Sequence, residues 1–194
     1  MRAMKYEHYF VAPESLPQAA SPVFQHIVET YASEINKTAS TWTAFSDGEL
    51  EWKPHGKSTV VREIMQHQLL SERRFFSEFL GRAEPAVDKL LPEERTVSSL
   101  CGRYVQLSKL RLAWLASINE EQWLAPRPFF GEQRERIWIF WRRVLHTAHH
   151  RTQLTVYLRL LDKSVPATYG PTADVTWEGA DPTTTIEAAQ RQGG

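Results

Sequence analysis

Cysteine is nearly absent from this chain of 194 residues, in which Cys101 is the only one. A single cysteine excludes a disulfide framework and cysteine-rich zinc modules, and it fits a protein of a reducing compartment. We therefore expect a cytoplasmic protein. A lone cysteine within a helix is more often a small core residue than a nucleophile, so we assign Cys101 no catalytic role.

Long apolar runs and an excess of one charge are also missing. The longest apolar run, Ile137–Trp141, is too short to cross a membrane, and the first residues lack the apolar core of a signal peptide. Lys and Arg together number 23, as do Asp and Glu, so the formal net charge is zero. Nucleic-acid binding usually requires a basic excess. We expect a small-molecule partner, with no nucleic acid and no membrane.

Glycine and proline are scarce within four long stretches, where apolar residues recur at steps of three and four. This spacing is typical of amphipathic helices. Ser58 or Thr59 is predicted to cap the second helix and Gly81 to end it, and Thr96 is predicted to cap the third. The predicted helices cover about Val23–Trp42, Thr59–Leu80, Val97–Ile118 and Arg134–Leu161.

The helical pattern predicts an all-α protein built as a four-helix bundle. Period-two alternation is missing, so we expect little strand structure. We predict one domain over residues 1–194, with a helical core at about 22–162. Residues 1–21 and the extended C-terminal tail 163–194 are rich in Pro, Ala, Thr and Gly, and are predicted to lie along the surface or fray.

Three histidines in the fourth predicted helix are the main chemical signal. His146 and His150 are four residues apart, so they lie about 40° apart on one helical face and could bind one ion together. His149 lies about 100° around the helix from His150. The pair His146 and His149, at a spacing of three, remains an alternative. A catalytic zinc-like ion takes three protein ligands, so a third must come from another helix.

His67 is the strongest candidate for the third ligand, because it lies in the second predicted helix at the edge of its apolar arc. His8, His26 and His55 are weaker choices, since they lie near the N-terminus or in a Pro-Gly loop. Spacing alone does not establish a metal site, because a histidine at a core edge is more often held by a hydrogen bond. With histidine ligands, metal affinity should weaken below about pH 6.5, where free histidine protonates.

Other side chains of the fourth helix have candidate roles beside the histidines. Gln153 and Tyr157 continue the face of His146 and His150, and are candidates to support a ligand or contact a substrate. Aromatic side chains are interpreted as core or pocket wall, namely Trp114, Trp138, Phe140 and Trp141. The arginines are interpreted mostly as a solvated face, namely Arg134, Arg136, Arg142, Arg143, Arg151 and Arg159.

Two segments carry a resemblance to a known family. The string His146–Leu161, followed by Val165-Pro166 and Tyr169-Gly170-Pro171, resembles the last-helix signature of the DinB-like (damage-inducible) metalloprotein superfamily. The segment Trp52–Ser58, leading into Ile64–His67, is similar to the loop and second helix of that family. Thr152 stands where the family often has glycine, a change that affects helix packing more than metal binding.

The resemblance implies a four-helix bundle with an up-down-down-up course. It also implies one divalent ion, bound by one histidine of the second helix and two of the last. Carried over by position, these ligands are His67, His146 and His150, and His149 becomes a neighbour that does not bind. The family further implies a homodimer.

The resemblance implies several possible reactions rather than one. Some family members are metal-dependent S-transferases acting on low-molecular-weight thiols, others are described as metal-dependent hydrolases, and many have no known activity. The leading hypothesis is therefore a metal-dependent enzyme of S-transferase or hydrolase type. The alternative is a non-catalytic metal-dependent protein that binds a small molecule or serves in a stress response, and a purely structural metal comes third. An all-imidazole site suits zinc or nickel, and iron or copper could also bind.

Overall fold

The protein is mostly helical, as the computed structural model of residues 11–166, 168–169 and 172–174 establishes. This described part contains five α-helices and one antiparallel hairpin. The helices are α1 Gln25–Trp42, α2 Val61–Arg74, α3 Val97–Ser117, α4 Glu120–Leu124 and α5 Arg136–Leu160, and the strands are β1 Pro126–Phe129 and β2 Glu132–Glu135. Within these ranges, no helix combines the length and apolarity that a bilayer crossing requires.

The four long helices occupy the stretches predicted from periodicity, with differences at their ends. The Thr96 side chain accepts a hydrogen bond from the Ser99 amide, which confirms it as the cap of α3. The predicted capping of α2 by Ser58 or Thr59 is wrong, since its N-cap is Val60 and no side chain caps it. Backbone carbonyls of the preceding loop, at Leu50 and Trp52, accept from the first amides of α2 instead.

The C-terminal end of α2 widens into a π-helical segment, Phe75–Leu80, which ends at Gly81. Gly81 has φ of 84°, in the left-handed region that glycine occupies without strain, so its predicted role as terminator is confirmed. A Cβ at this position would lie 2.8 Å from a guanidinium nitrogen of Arg127. The glycine thus leaves room for the Arg127 guanidinium beside the end of this helix.

A short hairpin stands before α5, so the last helix begins at Arg136 rather than at about Arg134 as predicted, while the strand content is small, as expected. Arg134 lies in β2, paired with Arg127 of β1. Each strand is only four residues long, and β2 is exposed along its whole length. Neither strand therefore has the apolar alternation by which a half-buried strand is predicted. Helix α4, also not predicted, begins with a capping box formed by Asn119 and Gln122.

The long helices pack around a shared apolar core, in which α1 contacts α3 and α5, and α2 contacts α5 and α3. Trp42 of α1 is fully buried, with its ring centroid 5.0 Å from that of Tyr104 of α3. Its indole nitrogen donates to Oε1 of Gln68 of α2 at 3.1 Å. The core thus ties three helices together at Gln68, the residue after His67. The N-terminal segment joins it through Val11, which is buried although this region was predicted to lie on the surface.

Charged side chains also lie in the interior, and this corrects the interpretation of the arginines. Arg143 and Arg151 of α5 are fully buried rather than part of a solvated face. The Tyr31 hydroxyl donates to Glu72 at 2.6 Å, and guanidinium nitrogens of Arg111 and Arg143 lie 3.4 and 4.0 Å from the Glu72 carboxylate. Buried arginine occurs where a carboxylate compensates its charge. The interpretation as a solvated face is wrong for these two arginines, because periodicity does not show which carboxylates face them, whereas Arg134, Arg142 and Arg159 are exposed.

A second buried cluster joins α1 and α5 to the segment after α5. Arg151 forms an ion pair with Glu34, and Lys37 lies 2.8 Å from the same carboxylate. The hydroxyl of Tyr169 donates to Glu34 at 2.5 Å, and its ring lies beneath the Lys37 ammonium. Burial acts to raise the pKa of Glu34, but Arg151 and Lys37 outweigh it, so the pKa lies below its ordinary value.

Cys101 lies in α3, at the wall of a cavity of about 480 Å³ that is also lined by Phe45 and Asp47. Its side chain is 3% exposed, and burial raises the pKa of the thiol to about 12. The thiol therefore stays protonated at neutral pH. This placement agrees with the assignment of Cys101 as a small core residue.

Candidate metal centre

Three histidines meet between α2 and α5. They are His67, His146 and His150. Each offers one ring nitrogen as a possible ligand atom, and these three nitrogens all lie within 4.8 Å of one another. The ring centroid of His67 is 5.3 Å from that of His146 and 4.6 Å from that of His150, and the latter two are also 4.6 Å apart. The structure therefore brings together the three residues that spacing and resemblance selected. We refer to them as the histidine triad.

Local hydrogen bonds hold the two helices in register beside the triad. Gln68, the residue after His67, donates from its side-chain amide to the Thr147 carbonyl of α5 at 3.3 Å. One helical turn farther along α2, the Ser71 hydroxyl accepts from Arg143 of α5 at 2.9 Å. Because Gln68 adjoins His67 and Ser71 lies one turn beyond it, these two polar contacts set the position of His67 relative to α5.

His150 is oriented by a chain of hydrogen bonds. Its Nδ1 lies 3.3 Å from Oε1 of Gln153, and because an amide oxygen only accepts, Nδ1 carries the proton. The amide nitrogen of Gln153 donates to the hydroxyl of Tyr157, which donates to the Thr59 carbonyl. This arrangement leaves Nε2 of His150 with a free lone pair for a metal ion. Gln153 is thus a direct partner of His150, whereas Tyr157 is buried and supports Gln153.

His146 has a different partner, the buried guanidinium of Arg143, whose Nη1 lies 3.1 Å from Nδ1 of His146. Arginine has no acceptor, so Nδ1 must accept this hydrogen bond, and a neutral ring then carries its proton on Nε2. A metal ion at either nitrogen of His146 is incompatible with this contact, since the ion would either take the lone pair of Nδ1 or require the proton to move there. Metal uptake should therefore break the contact between Arg143 and His146.

The electrostatic setting keeps the triad neutral. His67 is exposed, and His146 and His150 are half-buried. Burial and the nearby Arg143 charge lower the pKa of His146 to about 3. Burial is also the main cause that lowers the pKa of His67 and of His150. All three imidazoles are consequently unprotonated at neutral pH, as metal ligation requires.

The triad has the donor set and spacing of a metal site. Two nitrogens bound to one zinc ion at about 2.0–2.1 Å can lie no more than about 4.2 Å apart, so small side-chain rotations would bring these donors to a shared ion. Among the described residues, no carboxylate and no cysteine joins the group. The described part of the chain thus offers three ligands, as catalytic zinc sites do, rather than the four of a closed structural site.

The other histidines of the described residues lie outside the triad. His149 is exposed, and its ring packs beside His150 with centroids 4.9 Å apart, but it is not in the metal-capable group. His26 stacks on Trp141 and donates to the Val23 carbonyl. His55 accepts from the Lys57 amide within its loop, and His8 lies outside the described residues.

Two features of the site were missed in the sequence. Arg143 is three residues before His146, a spacing that places both on one helical face, but it was grouped with the solvated arginines. Phe75 lies with its ring centroid 6.1 Å from that of His146, and it connects the triad to aromatic residues of the hairpin. No sequence signal places the hairpin there, because its strands were not predicted.

The lowered pKa values predict how the metal-free protein responds to acid. Unfolded histidines take up protons near pH 6.5 while the folded triad does not, so the free energy of unfolding should fall as pH falls below 6.5. In urea denaturation at pH 7 and pH 5, a His146→Ala variant should lose less stability than the wild type. Parallel pH dependence of the two proteins would contradict this. Proton competition for the metal should likewise begin at a lower pH than the 6.5 expected for free histidine.

Comparison with known proteins identifies the family of this chain and solved structures of similar fold. The family model described as DinB family matches residues 17–182. No curated protein matches the chain. A DinB-like protein from Bacillus cereus ATCC 10987 has a similar structure, with a TM-score of 0.65 and 18% identity over 74% of this chain and 95% of that one. The DinB-like protein YjoA from Bacillus subtilis gives a TM-score of 0.61 and 23% identity over 74% of this chain and 97% of its own.

Proposed function

Because the chain belongs to the DinB family, we propose that it binds one divalent metal ion through His67, His146 and His150 and uses it in a reaction of thiol S-transferase or hydrolase type. The observation that carries this proposal is the convergence of three neutral imidazoles whose donor atoms lie within 4.8 Å of one another. Zinc or nickel suits such a donor set best, and iron or copper is the next choice.

When bound, a divalent ion would supply Lewis acidity that lowers the pKa of a thiol or of water. The protein's own residues prepare the place for this chemistry. Gln153 fixes the proton of His150 on Nδ1, and Tyr157 holds Gln153. The exposure of His67 leaves the triad accessible to a small molecule from the solvent side. A substrate with a thiol or another metal-binding group fits this access.

The alternative is a protein that binds a small molecule through its metal without converting it. One observation favours this alternative: no carboxylate of the described residues belongs to the metal-capable group, so the group itself supplies no carboxylate base. Thiol transfer is less affected by this lack, because the ion itself favours the thiolate. Hydrolysis depends more strongly on a base, which makes the S-transferase type the first reaction to assay.

The test uses protein loaded with Co²⁺, whose absorption reports its ligands. Titration with 2-mercaptoethanol should change the spectrum, and the thiol should raise the melting temperature of the metal-loaded protein only. Binding to the folded state at one hundred times Kd adds about 2.7 kcal/mol of stability, which such a measurement detects. Equal stabilisation of metal-free protein, or an unchanged spectrum, would contradict an open site at the triad.

Turnover then separates the enzyme from the binding protein. Metal-loaded protein is incubated with 2-mercaptoethanol and 1-chloro-2,4-dinitrobenzene, and in parallel with p-nitrophenyl acetate. If the wild type forms more product than the His150→Ala variant, the protein is an enzyme. Reaction of 1-chloro-2,4-dinitrobenzene indicates thiol transfer, and reaction of p-nitrophenyl acetate indicates hydrolysis. Binding of the thiol with no turnover of either substrate supports the non-catalytic alternative.

We also infer that the long helices follow an up-down-down-up course. Contacts near the start of α1 and the end of α2, such as Tyr31 with Glu72, support an antiparallel pair. Trp42 at the end of α1 meets Tyr104 in the first half of α3, which supports a second antiparallel pair. The stacking of His26 on Trp141 near the start of both helices, with the ion pair between Glu34 and Arg151 farther along both, supports a parallel arrangement of α1 and α5.

A further inference from the structure

An aromatic cluster extends from the histidine triad to the hairpin. The ring centroid of Phe129 in β1 is 5.9 Å from Phe75, 4.9 Å from Phe79 and 5.4 Å from Trp138. Phe130 at the hairpin turn lies 4.9 Å from Phe79. We call this set the hairpin aromatic patch, and its members are Phe75, Phe79, Phe129, Phe130 and Trp138.

Much of the outer part of this patch is open to solvent. Phe130 is 64% exposed and Trp138 is 44% exposed, whereas Phe75 and Phe79 are buried beneath them. Single exposed apolar residues are ordinary, but a contiguous exposed cluster usually marks a binding surface. Here the cluster borders the triad, since Phe75 lies 6.1 Å from His146.

The turn of the hairpin holds an aromatic residue where local structure does not favour one. Phe130 has φ of 48° and Gly131 has φ of 87°, and both belong to the two-residue turn between β1 and β2. Such turns prefer asparagine or aspartate before the glycine, because bulky side chains are strained at positive φ. A strained residue that is also exposed points to a role other than stabilising the fold.

The patch lies within reach of a molecule bound at the triad. Trp138 precedes His146 by eight residues of α5, a rise of about 12 Å along the helix axis. Phe75 lies on α2 eight residues beyond His67, so both helices lead from the triad toward the hairpin. A substrate of modest length could thus contact the ion at one end and the exposed rings at the other.

We propose that the hairpin aromatic patch binds an aryl group of the substrate, whose thiol or other metal-binding group lies at the triad. This inference rests on the proposed function and adds a substrate class to it. Phe130 and Trp138 are the specificity-determining residues, because they are the exposed rings of the patch. Small hydrophilic thiols would then bind the ion without using the patch.

The experiment compares two thiols on Co²⁺-loaded protein, 2-mercaptoethanol and 4-phenylbutane-1-thiol. Each methylene equivalent removed from water strengthens binding about fourfold, so the phenyl compound should bind far more tightly to the wild type. In Phe130→Asn and Trp138→Ala, its Kd should rise at least about fourfold, while the Kd of 2-mercaptoethanol stays unchanged. Leu110→Asn, at an exposed site on α3, is the matched control and should change neither Kd.

The Phe130→Asn variant keeps the test interpretable, since asparagine suits this turn and the fold should be retained. Equal affinity of wild type for both thiols, or unchanged affinity of both variants for the phenyl compound, overturns the inference and leaves the metal site standing. If a variant changes the oligomeric state in sedimentation but leaves both Kd values unchanged, the patch is an interface between two copies of the chain. That result also overturns the inference.

A metal-independent measurement separates the inference from the proposed function. 4-Phenylbutan-1-ol has no thiol, and its binding to metal-free protein can be followed by tryptophan fluorescence. Binding to the wild type and weaker binding to Phe130→Asn would support the patch even if no thiol perturbs the bound ion. Failure of the alcohol to distinguish these two proteins counts against the patch whatever the metal does.

Discussion

A variant with His67, His146 and His150 all replaced by alanine is expected to lose stoichiometric binding of a divalent ion. The wild type should retain about one ion per chain after loading with Zn²⁺ or Ni²⁺ and desalting, and the triple variant close to none, as measured by elemental analysis. The reason is that these residues supply every ligand atom of the metal-capable group among the described residues. Circular dichroism should show that the variant remains folded, because none of the three side chains is fully buried.

Two single variants determine which face of α5 binds the ion. His149→Ala should retain metal like the wild type, since His149 is exposed and outside the triad. His150→Ala should lose most of it. The opposite result, with His149 required and His150 dispensable, would establish the alternative pair of His146 and His149. A folded triple variant that keeps full metal content would place the ion elsewhere in the protein.

Replacing Glu72 by alanine should lower the free energy of unfolding more than the loss of one buried hydrogen bond or of one surface ion pair. Its carboxylate lies in the interior with the Tyr31 hydroxyl and the guanidinium groups of Arg111 and Arg143 around it. Arg111 retains Glu84 as a partner at 2.7 Å, but Arg143 loses its ion-pair partner inside the core. Breaking a buried ion pair by removing one partner costs about 3–5 kcal/mol. Urea denaturation at neutral pH should show this loss in the free energy of unfolding.

Two control variants show whether burial and charge cause the effect. Tyr31→Phe removes one hydrogen bond to Glu72 and should cost about 1 kcal/mol. Glu51→Ala breaks the surface ion pair with Arg62, which is worth at most about 1 kcal/mol. If Glu72→Ala costs no more than these two, the buried cluster contributes little to stability.

The sequence was sufficient for features that depend on neighbours along the chain. The spacing of apolar residues located the four long helices, and Thr96 and Gly81 marked two of their ends. The spacing of His146 and His150 placed both on one helical face, and the place of His67 at the edge of an apolar arc selected it as the third ligand, in agreement with the family resemblance. These predictions succeeded because helical periodicity converts sequence separation into direction.

Features that depend on partners distant in sequence were not predictable in the same way. Arg143 and Arg151 have the charge of surface residues, and only the folded chain brings Glu72 and Glu34 to them. The start of α2 needed no side-chain cap, because carbonyls of its loop accept from its first amides. The hairpin carries its aromatic residues at the turn rather than in alternation, so its strands gave no periodic signal.

The burial of Cys101 has a practical consequence for work on the metal site. A thiol whose pKa is raised to about 12 oxidises slowly and competes weakly for soft metal ions. We therefore expect metal titrations to need no reducing agent to protect this thiol. Dithiothreitol and 2-mercaptoethanol are themselves thiol ligands, so their omission keeps the triad free for the ion and for the compound added on purpose.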